Sequence, residues 1–163
     1  MVDRLIGAFK GDVATYEQIE HDENATVQAA LVVFVAAVLG GLGSGFTNEI
    51  IGGDDAPSFV AVFFMGVAAA FISWILWAGI IHLVGSRFFG ADSTFGEMLR
   101  VIGFAAVVTW LVVIPVVGII AVFWYLWVVF KAIRAGLDLP TGPTVLVILI
   151  GLVIRIILRL ILV

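Results

Sequence analysis

The sequence contains no cysteine among its 163 residues. This absence excludes disulfide bonds, thiol nucleophiles, thiolate metal sites and lipid anchors attached through a thiol. Histidine is also scarce, and His82 has no second histidine or acid nearby at the spacing of metal ligands. We therefore expect no metal ion and no other cofactor.

Charged residues are few as well. They make up 12% of the chain, whereas soluble domains carry about a quarter. Hydrophobic residues make up 63%, and the mean hydropathy is +1.26. A soluble domain of this length buries roughly 70% of the surface of its unfolded chain, so much of this apolar surface would face water. The composition predicts an integral membrane protein.

The charge that is present is mostly acidic, with a formal net value of -4. An acidic balance argues against nucleic acid as a partner. The chain also has no Ser-His-Asp set, no paired carboxylates inside an apolar run and no His-Glu-x-x-His motif. These are common catalytic arrangements, so we expect no enzymatic activity.

Four long runs contain few or no Asp, Glu, Lys and Arg residues, and these runs mark candidate membrane spans. A charge at the bilayer centre costs on the order of 2.5 to 3.5 kcal/mol on insertion scales, and about 20 residues of helix cross the hydrocarbon. Three of the runs predict single transmembrane helices at about 27–46, 59–84 and 144–163. The last of these is interrupted by Arg155 and Arg159.

The remaining run admits two interpretations. The apolar stretch 98–135 would be about 57 Å long as a single helix, nearly twice the hydrocarbon thickness. Pro115 and Gly118 favour a hairpin turn between two shorter spans, 98–114 and 119–135, because proline interrupts a helix and glycine adopts turn dihedrals. Against this, Trp110 and the stretch from Trp124 to Trp127 would lie about 25 Å apart on one helix, where they could form both aromatic belts. The hairpin gives five spans and the kinked helix four.

Residues 1–24 form a separate segment ahead of the transmembrane domain, 25–163. Four apolar residues recur at helical spacing in it, namely Leu5, Phe9, Val13 and Tyr16. This pattern predicts an amphipathic helix at the membrane interface, and we favour structural packing over a recognition surface for it. With either span count, the basic residues favour a cytoplasmic N-terminus and an external acidic loop, 48–57.

Small residues recur on one face of the first span, at Ala37, Gly41 and Gly45. Spacing of this kind lets helix backbones approach closely in a membrane, where lipid removes the hydrophobic incentive for association. We interpret this face as a helix-packing seam. Between the second and third spans, Thr94 and Glu97 form a capping-box pattern that predicts a helix start.

Arg155 and Arg159 lie four residues apart and hence on one face of the last span. Intramembrane charges usually face a bundle interior, a cavity or an acidic partner. Arginine near a helix end can instead extend its guanidinium group to the lipid headgroups, and this explanation is favoured for Arg159. With five spans, both arginines approach the external loop. We therefore predict contact with lipid phosphate or with one of three acids in that loop, Glu49, Asp54 and Asp55.

Several segments resemble the Yip-domain family of small five-span membrane proteins, which is named for proteins that interact with Rab GTPases. The resemblance rests on Phe95-Gly-Glu-Met-Leu-Arg-Val-Ile-Gly-Phe104, Ile114-Pro-Val-Val-Gly118, Trp124-Tyr-Leu-Trp127 and Lys131-Ala-Ile-Arg-Ala-Gly-Leu137. It implies the hairpin, five spans and no enzymatic activity. The Asp-Leu-Tyr-Gly-Pro type motif of eukaryotic members is missing, and the acidic, cysteine-free chain looks prokaryotic. We therefore do not carry over the vesicle-traffic role and GTPase binding of those members.

The sequence thus favours a non-catalytic scaffold in the cell membrane. Its partners would be membrane lipids and either another membrane protein or further copies of the chain. The alternative is a small transporter or channel subunit lined in part by Arg155 and Arg159. A membrane enzyme is a weaker possibility, because polar residues within the spans are few.

Overall fold

The computed structural model describes residues 1–53, 56–113 and 115–162, and within them the chain is all-α. The elements are α1 (Val2–Lys10), α2 (Val13–His21), α3 (Ala25–Ile51), α4 (Phe59–Phe89), α5 (Phe95–Ala105), a 3₁₀-helix η1 (Ala106–Val113), α6 (Pro115–Leu137) and α7 (Thr141–Leu162). The predicted class, a bundle of transmembrane helices, is confirmed.

The N-terminal segment forms two helices, which corrects the prediction of one. Gly11 ends α1 in the left-handed conformation with a φ of 69°, and the Asp12 side chain accepts a hydrogen bond from the Thr15 N–H to start α2. Glycine takes this conformation without a steric penalty, and aspartate is a preferred N-cap. The two helices fold against each other, and the Tyr16 hydroxyl donates to the Ala8 carbonyl at 3.0 Å.

α3 and α4 form the longest contact in the bundle and pack along each other. With 27 and 31 residues, they extend about 40 and 46 Å at 1.5 Å per residue. Ser58 caps the start of α4, where its hydroxyl accepts a hydrogen bond from the Ala61 N–H. Both helices are therefore longer than the hydrocarbon layer is thick.

The apolar stretch 98–135 folds back on itself, since α5 and η1 both pack against α6. The predicted capping box at Thr94 and Glu97 is confirmed at the start of α5. The two predicted turn residues lie in a helix instead: α6 begins at Pro115, and Gly118 lies inside α6. Proline is favoured as the first residue of a helix, since its missing N–H would have no helical partner there.

Within the described residues, four helical stretches are long and apolar enough to cross a bilayer, namely Ala25–Ile51, Phe59–Phe89, Val117–Leu137 and Thr141–Ile161. The fifth predicted span falls on α5 and η1, which have 11 and 8 residues. Placed end to end they would cover about 32 Å. This length is close to the hydrocarbon thickness, although neither element is long enough alone.

The remaining elements close the bundle. α7 packs mainly on α4, and α2 lies against α5 and α6. Two indole N–H groups bond main-chain carbonyls of neighbouring elements, Trp74 to Leu99 at 3.1 Å and Trp110 to Val32 at 3.2 Å. These bonds satisfy polar atoms that lipid could not. α1 and α2 are thus docked on the body of the bundle.

Candidate functional site

The predicted packing residues lie on one face of α3, and Gly41 and Gly45 on that face contact α4. Ala37, Gly41 and Gly45 are all buried. A Cβ atom on Gly41 would lie 3.1 Å from the ring of Phe63, and one on Gly45 would lie 2.6 Å from the ring of Phe59. Larger side chains at the two glycines would therefore push the helices apart.

A second face of α3 also consists of small residues and is open. Its members are Gly40, Gly43, Ser44 and Thr47, and each is exposed. A Cβ atom on Gly40 or Gly43 would meet no neighbouring atom of the described residues within 4 Å. These residues line a groove of about 1070 Å³ that reaches Asn48 and Gly52 at the end of α3. We call this surface the open face of α3.

Arg155 contacts the middle of α4. Its Nη2 atom donates a hydrogen bond to the Ser73 Oγ atom at 2.6 Å, and its Cζ atom lies 5.6 Å from the centre of the Trp77 ring. Ser73 is about 21 Å along the helix from Phe59, where α4 begins. The guanidinium group is therefore far from both ends of α4.

The predicted contact of the arginines with the acidic loop is not formed at Glu49. Among the described residues, neither Arg155 nor Arg159 makes an ion pair, and Glu49 makes none. Asp54 and Asp55 lie outside the described residues. Arg159 is exposed on the last turns of α7. Arg155 does not reach the acidic loop because it lies level with the middle of α4, whereas the loop precedes the start of α4.

A cavity of about 540 Å³ adjoins Arg155 between α3, α4, α5, η1, α6 and α7. Most of its wall is made of alanine, glycine and larger apolar side chains. Its polar lining comes from Ser44, Ser73, Thr109, Tyr125 and Arg155. The cavity and the groove along the open face of α3 share residues, including Gly40 and Ser44. The bundle thus has a mainly apolar recess at mid-depth, with a few polar side chains, that continues into a surface groove.

A second polar cluster holds the N-terminal helices on the bundle. The Arg100 guanidinium donates to the main-chain carbonyl of Glu20 from two nitrogens, with the Nε atom at 3.0 Å. It also bonds the Thr26 hydroxyl at 3.4 Å. Arg100 is 8% exposed and Glu20 3%. Sequence reasoning missed this cluster, since its members are 80 residues apart.

The order of elements reproduces the pattern on which the family resemblance rests. An N-terminal lead-in is followed by two long helices, a folded-back pair and a final helix. The sequence matches the Yip1 domain over residues 11–163. The chain belongs to the Yip1 domain family. The match covers every element from α2 onward, so in this Yip1 domain α2 is part of the family's unit. No curated protein and no solved structure matches the sequence.

Proposed function

We propose that this Yip1-domain protein is a non-catalytic membrane scaffold that associates with further copies of itself through the open face of α3. The observation that carries the proposal is the space above Gly40 and Gly43. A Cβ atom at either glycine would have no neighbouring atom of the described residues within 4 Å. Small residues with open space above them are suited to the close approach of another helix.

The two small-residue faces of α3 have different roles in this proposal. Ala37, Gly41 and Gly45 are buried on the side of α3 that packs on α4 within the same chain. Gly40, Gly43 and Ser44 have the same character and face outward. Helices in lipid associate by backbone proximity and van der Waals packing, which small residues permit. The open face offers this geometry to a second chain.

We further propose that the protein resides in the cell membrane with five spans and a cytoplasmic N-terminus. Basic residues support this orientation, because Lys131 lies beside Gly11 and Arg100 binds Glu20, both in the N-terminal segment. Arg87 and Arg134 lie in the last turns of α4 and α6. Cytoplasmic loops carry an excess of Lys and Arg.

The test replaces Gly43 with leucine. The added side chain would fill the groove, and we expect self-association to weaken by about tenfold or more, since 1.4 kcal/mol of lost packing corresponds to a factor of ten. Energy transfer between two fluorescently labelled populations in liposomes measures the association. Gly142→Leu is the matched control, because Gly142 is also open but lies on α7. A monomeric wild-type protein, or unchanged association of Gly43→Leu, would contradict the proposal.

A further inference from the structure

We propose that Arg155 and the cavity beside it form an intramembrane binding site for the phosphate group of a membrane lipid. The site adjoins the self-association surface, because Gly40 and Ser44 line both the cavity and the groove, but Arg155 itself lies on α7 and contacts α4. Three observations carry the inference: the depth of the guanidinium group, its unused hydrogen-bond donors and the shape of the space in front of it.

Arg155 is an exposed residue of α7, and its depth distinguishes it from an arginine at the headgroup layer. α4 spans Phe59–Phe89, and Ser73, the partner of Arg155, lies near its middle. At 1.5 Å per residue, more than about 20 Å of helix separates Ser73 from each end of α4. An arginine side chain that reaches for the headgroup layer would extend toward a helix end. Arg155 instead holds its charge at mid-depth.

The guanidinium group has more donors than the described residues satisfy. Arginine carries five N–H donors in a planar fork. Among the described residues, Arg155 makes one hydrogen bond, to the neutral Ser73 hydroxyl, and no ion pair. The face of the Trp77 ring attracts the positive charge of the guanidinium group. The ring offers no hydrogen-bond acceptor to the remaining N–H donors, which point outward in the guanidinium plane. An anionic group with several oxygens matches such a fork in charge and geometry.

The cavity has room for that group and a route to it. Its volume of about 540 Å³ lies within the range of ligand sites. Ser44 and Thr109 line both the cavity and the groove that leads to Asn48 at the end of α3. In a chain whose groove is not covered by a second copy, a headgroup can therefore pass from the interface along polar side chains to Arg155.

The lining favours a lipid over a free anion as the source of the phosphate. Apart from the polar residues, the walls are alanine, glycine and larger apolar groups such as Val33, Ile102 and Trp77. These surfaces suit acyl chains, whereas a free ion would be better served by further donors. Arg155 would bind the phosphate and the apolar walls would contact the chains.

The experiment compares a lipid that carries a phosphate, a lipid that lacks one and phosphate without a lipid. The folded protein in detergent is titrated with phosphatidylglycerol, with diacylglycerol of the same chains and with inorganic phosphate, and bound ligand is counted by native mass spectrometry. We expect phosphatidylglycerol to bind and Arg155→Gln to weaken it by about tenfold or more, as for a lost charged hydrogen bond. Arg159→Gln, the matched control on the same helix, should bind like the wild type.

The outcomes separate the alternatives. Equal binding of phosphatidylglycerol by Arg155→Gln and the wild type would overturn the site, and so would equal binding of diacylglycerol. If inorganic phosphate binds at Arg155 and excludes the lipid, the lipid source is wrong and the cavity serves a small anion. Should Arg155→Gln fail to fold, Arg155→Lys keeps the charge but loses the fork. We then expect intermediate binding, and wild-type affinity would overturn the proposal.

Discussion

The carboxyl group of Glu20 is buried where α2 meets the bundle. Burial, and to a lesser extent the charge of Asp138, raises its pKa to about 7, while His21 opposes the shift. The side chains of Glu97 and Glu17 also favour the protonated form. Arg100 does not offset this, since it bonds the main-chain carbonyl and the Glu20 Oε2 atom has no hydrogen-bond partner among the described residues.

The raised pKa makes stability depend on pH in a defined direction. A carboxyl that binds its proton more tightly in the folded chain than at its ordinary pKa of 4.5 contributes stability at low pH. That contribution is lost as the pH rises from about 4.5 through about 7. We expect Glu20→Gln to remove this loss, so that the variant is more stable than the wild type at pH 8. Thermal unfolding in detergent, followed by circular dichroism at several pH values, measures it.

Glu23→Gln serves as the control for the charge change, because Glu23 is exposed just after α2. It should retain the wild-type slope of stability against pH. A wild-type protein whose unfolding midpoint stays constant between pH 5 and 8, or rises, would show that Glu20 is not buried in this way.

Individual side-chain partners could not be predicted from the sequence. The spacing of Arg155 and Arg159 predicts contact with the acidic loop or with lipid phosphate, and it gives no indication that Arg155 bonds Ser73, which precedes it by 82 residues. Which pairs meet depends on the relative depth of α4 and α7, and residue spacing within one helix carries no information on the depth of another. The cluster of Arg100 and Glu20 was missed for the same reason.

At the scale of elements, α3 has two small-residue faces with different surroundings. Gly45 lies against the ring of Phe59, and Gly43 faces open space within the described part of the chain. The two residues are close in sequence and occur in the same helix, so they have similar helix propensity and membrane depth. They differ in whether a side chain of α4 lies against them. Substitutions at the two positions therefore form a matched pair that tests this packing.

Gly45→Leu should destabilise the fold, whereas Gly43→Leu should not. The side chain at position 45 would overlap Phe59, and overpacking of this kind costs about 1–3 kcal/mol. At position 43 the change only replaces glycine with a better helix former. The midpoint of thermal unfolding in detergent measures both. A Gly45→Leu variant as stable as Gly43→Leu would contradict the packing of α3 on α4.

The helix types were predictable and some boundaries were not. Long runs without charge specify membrane helices strongly, because each buried charge is costly. The break between α1 and α2 went unrecognised, although Gly11 followed by Asp12 is a stop signal followed by a start signal. Pro115 and Gly118 are helical and do not form the predicted turn, because proline is favoured as the first residue of a helix.

At the scale of the whole molecule, the side of the membrane on which each segment lies depends on the order of membrane crossings. α3 and α4 are long enough to cross, and so are α6 and α7. The sequence predicts the class and the family, and leaves the choice between four and five crossings open. That choice depends on whether α5 and η1 together form a crossing, which requires the packing against α6 that composition does not encode.

The absence of cysteine provides the most direct test of this order. Single cysteines are introduced at Asp3, at Glu49 and after Val163, and intact cells are treated with a membrane-impermeant maleimide. The account predicts labelling at position 49 and at the added C-terminal cysteine, and labelling at position 3 only after the cells are opened. A C-terminal cysteine protected together with position 3, while position 49 reacts, would mean four crossings and contradict the account.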